Sequence, residues 1–202
     1  MTDGAQAATP RPTPRVRTPR ARQIIDTARV LLEAVGSEGL TMRRLADELG
    51  IRAPSLYKHV DGRPALELAL VEIGIDETGL AMHAAVQGPD RDRVGDLLAA
   101  YRALGSANPQ LYRLITASSF PRAGLLPGLE EWAGAPFFLA MGEPYLAQAL
   151  WSFAHGTLIL ELDQRFLDGS HVDQTWHAGT EAFTAARLAE HRARDDGRRA
   201  GD

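Results

Sequence analysis

The sequence predicts an all-α protein: an N-terminal three-helix helix-turn-helix domain followed by a larger helical domain. Three observations carry this reading. Strand signals are nearly absent, since no Thr/Val/Ile alternation is bounded by turns and Ala, Leu, Glu and Arg dominate. The stretch Thr41 to Leu66 reads as two short helices joined by a tight turn. Behind it, helical stretches are punctuated at Gly88-Pro89, Asn108-Pro109, Gly124 to Gly128, Gly142 to Pro144 and Gly169-Ser170. A chain of 202 residues, 45% hydrophobic, has room for one small domain and one larger one with a sizeable core.

The elements follow in order. Residues 1–19 are rich in Pro, Thr, Ala and Arg with almost no large apolar side chains, and read as a disordered or polyproline-like arm. Residues 20–70 hold the helix-turn-helix domain. Its first helix carries an apolar stripe of Ile24, Ile25, Ala28, Leu31 and Leu32. Thr41 is an N-cap for a second helix buried through Leu45, Ala46 and Leu49. Gly50 ends that helix in the left-handed conformation that glycine adopts cheaply, and Ile51 drops into the core. Pro54 fits the first turn of the next helix, where its missing N–H costs nothing. There Leu56 and Val60 face inward, leaving Ser55, Tyr57, Lys58 and His59 outside. A fourth helix opens at Pro64 and runs to about Ile75 with Leu66, Leu70 and Ile73. Residues 71–190 form the larger helical domain, and 191–202 a charged, frayed tail.

A short helix displaying Ser, Tyr, Lys and His, ringed by Arg43, Arg44, Arg52 and Arg63, suits phosphates and base edges better than a core. The bland alternative is a helical hairpin that happens to be basic. The Ala46 and Gly50 spacing, the three-residue turn and the polar second helix all speak against it. The arm admits two readings: Arg11, Arg15, Arg17, Arg20 and Arg22 insert into a minor groove, or they form a solubilising tail with weak phosphate attraction.

These residues resemble the DNA-binding domain of the TetR family of bacterial transcription regulators. The likeness starts at Arg22-Gln23-Ile24-Ile25-Asp26-Thr27-Ala28. It continues through Gly39-Leu40-Thr41, Arg44-Leu45-Ala46, Leu49-Gly50-Ile51, Leu56-Tyr57 and His59-Val60 to Ala65-Leu66, about a quarter of the chain. The run Pro54 to Val60 is similar to the recognition helix of the tetracycline repressors. A departure is Arg52, which stands where a Ser or Thr cap is usual and cannot accept an N–H. The resemblance implies a homodimer that places two such helices in successive major grooves of a near-palindromic double-stranded operator. It puts Thr41, Tyr57, His59 and Arg63 on the backbone or groove edge. Arg43, Ala53, Ser55 and Lys58 are candidates for base reading, with Arg52 and Pro54 completing the DNA-binding set.

The same resemblance makes the second domain a ligand-binding and dimerisation domain. Residues 144–166 are apolar on nearly every face, so this helix must be buried on more than one side. Leu150, Phe153, Leu158, Leu162 and Phe166 are the expected dimer interface. Trp151 with His155-Gly156 is similar to a W…HG pattern in one subgroup of the family's C-terminal domains. Gln148, Ser152 and His155 form one polar stripe, read either as ligand hydrogen-bonders or as hydrogen bonds within the core or across the dimer. Tyr101, Trp132, Phe138, Met141 and Trp151 join that stripe as candidate pocket residues for an unidentified small-molecule effector, though aromatics at such positions also serve as plain core. The loop Pro121 to Gly128 is a candidate gate.

Charge is split along the chain. Residues 1–70 hold 11 Lys and Arg against 8 Asp and Glu, whereas the remainder holds 11 against 18. A basic front and an acidic back suit a protein that touches DNA with one end, whatever its overall pI. Zero cysteines exclude disulfides, thiol chemistry and cysteine-ligated zinc. No apolar run approaches membrane-spanning length, and the basic N-terminus has no hydrophobic segment behind it, so a cytoplasmic protein without membrane association is expected. No catalytic constellation or phosphate loop is legible, and neither a metal nor a cofactor is implied. His171 and His177, six apart, do not share a helix face. The expected function is therefore a transcriptional regulator, a repressor released from its operator by a ligand. The rival is a constitutive DNA-organising protein whose C-terminal domain only dimerises.

Overall fold

The structure, a computed structural model, describes residues 9–87, 92–117, 120 and 122–199. Among the described residues nine α-helices follow in order: α1 (Pro19–Gly39), α2 (Met42–Glu48), α3 (Ala53–Leu56), α4 (Gly62–Val86), α5 (Arg93–Ala107), α6 (Pro109–Thr116), α7 (Leu129–Met141), α8 (Pro144–Leu162) and α9 (Val172–Arg199). A single 3₁₀ turn covers Arg122–Gly124, and no strand occurs among the described residues. The chain forms two compact units. One takes residues up to Glu77 and then Ala107–Trp132; the other takes Thr78–Ser106 and the chain from Ala133 onward. The first unit thus extends beyond the expected 20–70 and recruits α6 and the segment that follows it. The expected break at Gly88-Pro89 lies outside the described residues.

In the first unit, Thr18 caps α1 by accepting from the Ala21 N–H at 3.2 Å. The predicted stripe of Ile24, Ile25, Ala28, Leu31 and Leu32 is buried. Gly36, at φ 71°, breaks the helical path, and the Leu40 N–H turns back to the Gly36 and Ser37 carbonyls. That turn buries Leu40 completely. α1 packs on α2 and α6, and α2 on α3. The N-terminus of α6 is closed from outside its own sequence. Asn108 makes no side-chain cap bond to it, and Glu33 of α1 instead accepts from the backbone N–H groups of Gln110 at 3.1 Å and Leu111 at 2.9 Å. A carboxylate is stabilised there by the positive end of the helix.

α4 runs eleven residues past the expected end at Ile75, through Gly74 and Gly79. A glycine in mid-helix costs roughly 1 kcal/mol against alanine. At Gly74 the compensation is steric: an added Cβ would lie 2.6 Å from Ile115 Cδ1 of α6.

Residues 9–18 are the described part of the arm expected to be disordered or polyproline-like. Proline and threonine keep the segment extended and non-helical, but its arginines hold it against the first unit. Arg15 and Arg17 pair with Glu72, and Arg11 with Asp76. The loop expected to act as a gate is tied down as well. Leu125 is buried, and the Leu126 N–H donates to Glu72 at 3.0 Å.

In the second unit α8 packs against α9. Phe153 sits between Trp176 and Phe183, with ring centroids 5.8 and 5.7 Å away. A Cβ on Gly179 would lie 2.1 Å from the Phe153 ring, so glycine at that point lets the ring meet the backbone of α9. Arg102 of α5 donates to Glu161 of α8 at 2.6 Å and pairs with Asp173 of α9 at 2.7 Å. Trp176 donates its indole N–H to the same Glu161 at 2.8 Å. One Arg–Glu pair thereby ties three helices. The tail expected to fray from His191 continues α9 as far as Arg199. Among the described residues no helix is long and apolar enough to cross a membrane.

Candidate nucleic-acid interface

The interface is built on two short helices and the turn between them. The Thr41 hydroxyl caps α2 by accepting from the Arg44 N–H at 3.2 Å. This places Arg43 and Arg44 in the first turn, both exposed. At the other end Gly50, at φ 63°, lets the chain reverse, and the Ile51 N–H closes on the Ala46 carbonyl at 2.9 Å. Leu45, Ala46, Leu56 and Val60 are buried, whereas Leu49 and Ile51 are only half-buried, less inward than the sequence predicts.

α3 is a single turn, and Arg52 at its N-cap makes no side-chain cap bond. A backbone bond from Ser55 N–H to the Arg52 carbonyl, 2.8 Å, holds its start. The chain then stays tightly turned rather than helical. His59 and Val60 donate to the Leu56 carbonyl at 2.9 and 3.0 Å. Leu56 and Val60 anchor this unit while Arg52, Pro54, Tyr57, Lys58 and His59 remain exposed, Tyr57 by 56%. Ala53 and Ser55 are half-buried. A large aromatic left in water beside Lys58, His59 and Arg52 is unusual for a core-forming segment and natural for a groove.

Arg63 sits differently. It is half-buried, donating from Nε to Glu67 at 2.8 Å and from Nη2 to the Ser37 carbonyl at 2.9 Å. It thus joins the end of α1 to the start of α4, and reaches DNA only by giving up those bonds. Arg44 is the exposed cation of this face left out of the predicted DNA-binding set. Its position in the first turn of a Thr-capped helix was the available signal.

The residues singled out in the second half are divided between the two units. Trp132 belongs to the first unit, buried with the Arg11 guanidinium 5.7 Å from its ring centre. Tyr101, Phe138 and Met141 belong to the second. There Tyr101 is buried edge-on to Phe137 at 5.7 Å, Met141 is fully buried and Phe138 half-buried. Gln148, Trp151 and Ser152 are exposed on α8, and Ser152 donates to the Gln148 carbonyl at 2.8 Å. His155 is half-buried and stacks on Trp151 at 6.1 Å; burial lowers its pKa from the ordinary histidine value.

Of the expected dimer contacts, two are closed off within the chain and three keep some exposed surface. Leu150 and Leu158 are 0% exposed within one chain, and Phe153 is spent on the α8–α9 seam. Leu162 and Phe166 are half-buried. The exposed side of α8 instead carries Tyr145, Ala149, Trp151, Ser152 and Leu160. An added Cβ on Gly156 meets nothing within 4 Å among the described residues. Among the described residues no group of three or more His, Asp or Glu is placed to hold a metal ion.

Comparison with known proteins fits the geometry. Residues 24–70 match the family model described as "Bacterial regulatory proteins, tetR family". The chain is 31% identical over 151 residues to an uncharacterized HTH-type transcriptional regulator of Mycobacterium tuberculosis (strain ATCC 25618 / H37Rv), covering 69% of this chain and 68% of the relative. A shorter likeness, 53% over 49 residues, links it to the tetracycline repressor protein class C of Escherichia coli. That match covers 24% of this chain and 22% of the repressor. In fold, the chain is similar to the crystal structure of ActR from Streptomyces coelicolor in complex with (S)-DNPA. The TM-score is 0.57 at 21% identity, over 88% of this chain and 99% of that one.

Proposed function

Because this chain belongs to the tetR family of bacterial regulatory proteins, and is thus a DNA-binding transcriptional regulator, we propose that it is a homodimeric repressor released from a near-palindromic operator by a small molecule. The observation that carries the reading is the outward face of Arg52 to His59, held by buried Leu56 and Val60 and flanked by Arg43 and Arg44. In this proposal Lys58 and Arg43 read base edges, Ala53 touches a thymine methyl, and Thr41, Tyr57 and His59 position the backbone.

Dimerisation is assigned to the outer rows of α8 and α9. Ala149, Ser152, Gly156 and Leu160 on one helix, and Ala178, Ala182 and Ala185 on the other, are small or apolar with helical spacing, and all but the half-buried Gly156 are exposed. Small residues let helices of a second copy approach closely, and Trp151 and Leu160 supply apolar area. Effector binding is assigned to the second unit, around Tyr101, Phe138 and Met141. Support comes from the fold likeness to ActR, a neighbour in complex with (S)-DNPA. α4 contributes residues to both units, and its displacement by the effector would respace the two DNA-reading heads. Allosteric coupling of roughly 1–3 kcal/mol would weaken operator binding about five- to 150-fold.

The test is a fluorescence-anisotropy titration of operator duplex against wild type and Lys58→Ala, repeated on random-sequence duplex. The substitution should lower operator affinity more than random-duplex affinity, because a base contact carries about 1–3 kcal/mol of discrimination. An unchanged preference removes Lys58 from the reading set. Ligands found by thermal shift that stabilise the protein yet leave operator affinity untouched would favour a constitutive DNA-binding role.

A further inference from the structure

The N-terminal arm presents five arginines within twelve residues, a composition that reads as a DNA-seeking tail. The structure gives the three within residues 9–18 acidic partners, while Arg20 and Arg22 lie in α1. Arg15 donates from Nε to Glu72 Oε1 at 2.8 Å and from Nη2 to the Gly124 carbonyl at 3.1 Å. Arg17 donates to the second oxygen of Glu72 at 3.0 Å. Arg11 forms a two-toothed pair with Asp76, at 2.8 and 2.7 Å, and lies over the Trp132 ring. Pro12 lies against Gly128, 3.7 Å from where a Cβ would stand, a glycine whose φ of +78° disfavours any larger residue.

Glu72 is the centre of this arrangement. It lies mid-helix in α4, flanked by buried Val71, and is itself only 5% exposed. A carboxylate that deep needs counter-charge and hydrogen bonds, or its burial is strongly unfavourable. Its donors are Arg15 and Arg17 of the arm and the backbone N–H of Leu126. One side chain of α4 therefore receives the arm on one side and the 122–132 segment on the other. If the arm left for DNA, Glu72 would keep a single neutral donor among these three.

We propose that residues 9–18 are an intramolecular strap that fastens the 122–132 segment to α4 through Glu72 and Asp76. Its arginines are withheld from DNA rather than offered to it. The strap stays docked when the regulator binds nucleic acid, so Arg11, Arg15 and Arg17 contribute nothing to phosphate neutralisation, and the exposed cations of α2 and α3 carry the salt dependence.

The experiment uses the full chain and a fluorescein-labelled random-sequence duplex, with affinity measured by anisotropy across a salt series. Each phosphate contact contributes about 0.9 to the slope of log affinity against log salt. The variant R11A/R15A/R17A is expected to keep the wild-type slope and to melt at a lower temperature. Glu72→Gln with Asp76→Asn is expected to free the arginines and steepen the slope by up to about 2.7. Adding the three alanines to that variant should return the slope to its wild-type value. A slope that flattens by about 2.7 in R11A/R15A/R17A alone would show that the arm sits on phosphates, and would overturn the proposal.

A second measurement needs no acidic-site variant and no DNA. Trypsin cleavage after Arg15 and Arg17 should be much slower in the folded protein than in a synthetic peptide of residues 1–22. Equal rates would overturn the strap. Because proteolysis and melting do not depend on DNA binding, a failure of the regulator reading and a failure of the strap are distinguishable.

Discussion

The two units are stabilised by different physics. In the first, helix ends and loops are secured by polar groups: Thr18 and Thr41 on their own helices, Glu33 on α6, and Glu72 on the arm and the following segment. Helices of one or two turns cannot hold themselves together, so caps and cross-element bonds matter there. The second rests on α8 and α9, 19 and 28 residues long, joined along a seam of aromatics and leucines with one ionic knot at Arg102 and Glu161. Polar ends decide the first and side-chain packing the second. The residues proposed to read DNA lie on the unit whose geometry is fixed by hydrogen bonds, which position a short surface turn more sharply than apolar contact does.

The largest test of that contrast is on α8. Leu158→Asp would bury a carboxylate at a 0% exposed position and should unfold the second unit, with a cost above about 4 kcal/mol. Leu160→Asp, two residues on and 40% exposed, should leave the fold intact and turn a dimer into monomer in light scattering. If both variants merely dissociate, the seam and the outer face have been assigned the wrong way round. Next comes Gly179→Ala, which drives a methyl group into the Phe153 ring and should cost roughly 1–3 kcal/mol in urea unfolding. Phe153→Leu in the same chain should recover part of that loss; no recovery would place the strain elsewhere.

A smaller effect is expected in the first unit. Thr41→Ala removes the α2 cap and should lower stability by about 1 kcal/mol. Because Thr41 positions rather than reads, operator and random duplex should both lose affinity to a similar degree. A selective loss on operator alone would make Thr41 a specificity residue. The smallest effect concerns pH. Burial holds the His155 pKa below its ordinary value, so the folded state binds fewer protons than the unfolded chain near pH 6. Its contribution to stability is present above the unfolded pKa near 6.5 and declines as pH falls toward the folded value. A melting temperature that declines slightly below pH 6.5, and a flatter profile in His155→Gln, would support this; an opposite slope would not.

Much of the first unit was legible in the residues. The Ile24 to Leu32 stripe, the Thr41 cap, the Gly50 reversal and the outward Tyr57, Lys58 and His59 are all where local rules put them, because capping, left-handed glycine and helical periodicity act over a few residues. The absence of a cap bond at Arg52 also follows from local chemistry, whereas the helix expected to run to Val60 ends at Leu56. What sequence could not supply was which of several cations finds an acid. Arg63 is drawn inward by Ser37 and Glu67, while Arg11, Arg15 and Arg17 are held by Glu72 and Asp76, more than fifty residues away. Composition alone made those arginines part of a disordered arm.

In the second unit, the sequence by itself determined that a long helix around residues 144–166 must be covered on nearly every side. Only the tertiary structure decided which side meets its own chain. Leu150, Phe153 and Leu158 face α9 or the interior, and Ala149, Ser152 and Leu160 do not. A helix apolar all round carries no stripe from which its inner face can be read. The direction is set by long-range partners such as Gly179, whose missing side chain admits Phe153, and Arg102, which reaches Glu161 from another helix. Periodicity reports that a surface is buried; the packing of distant residues determines what buries it.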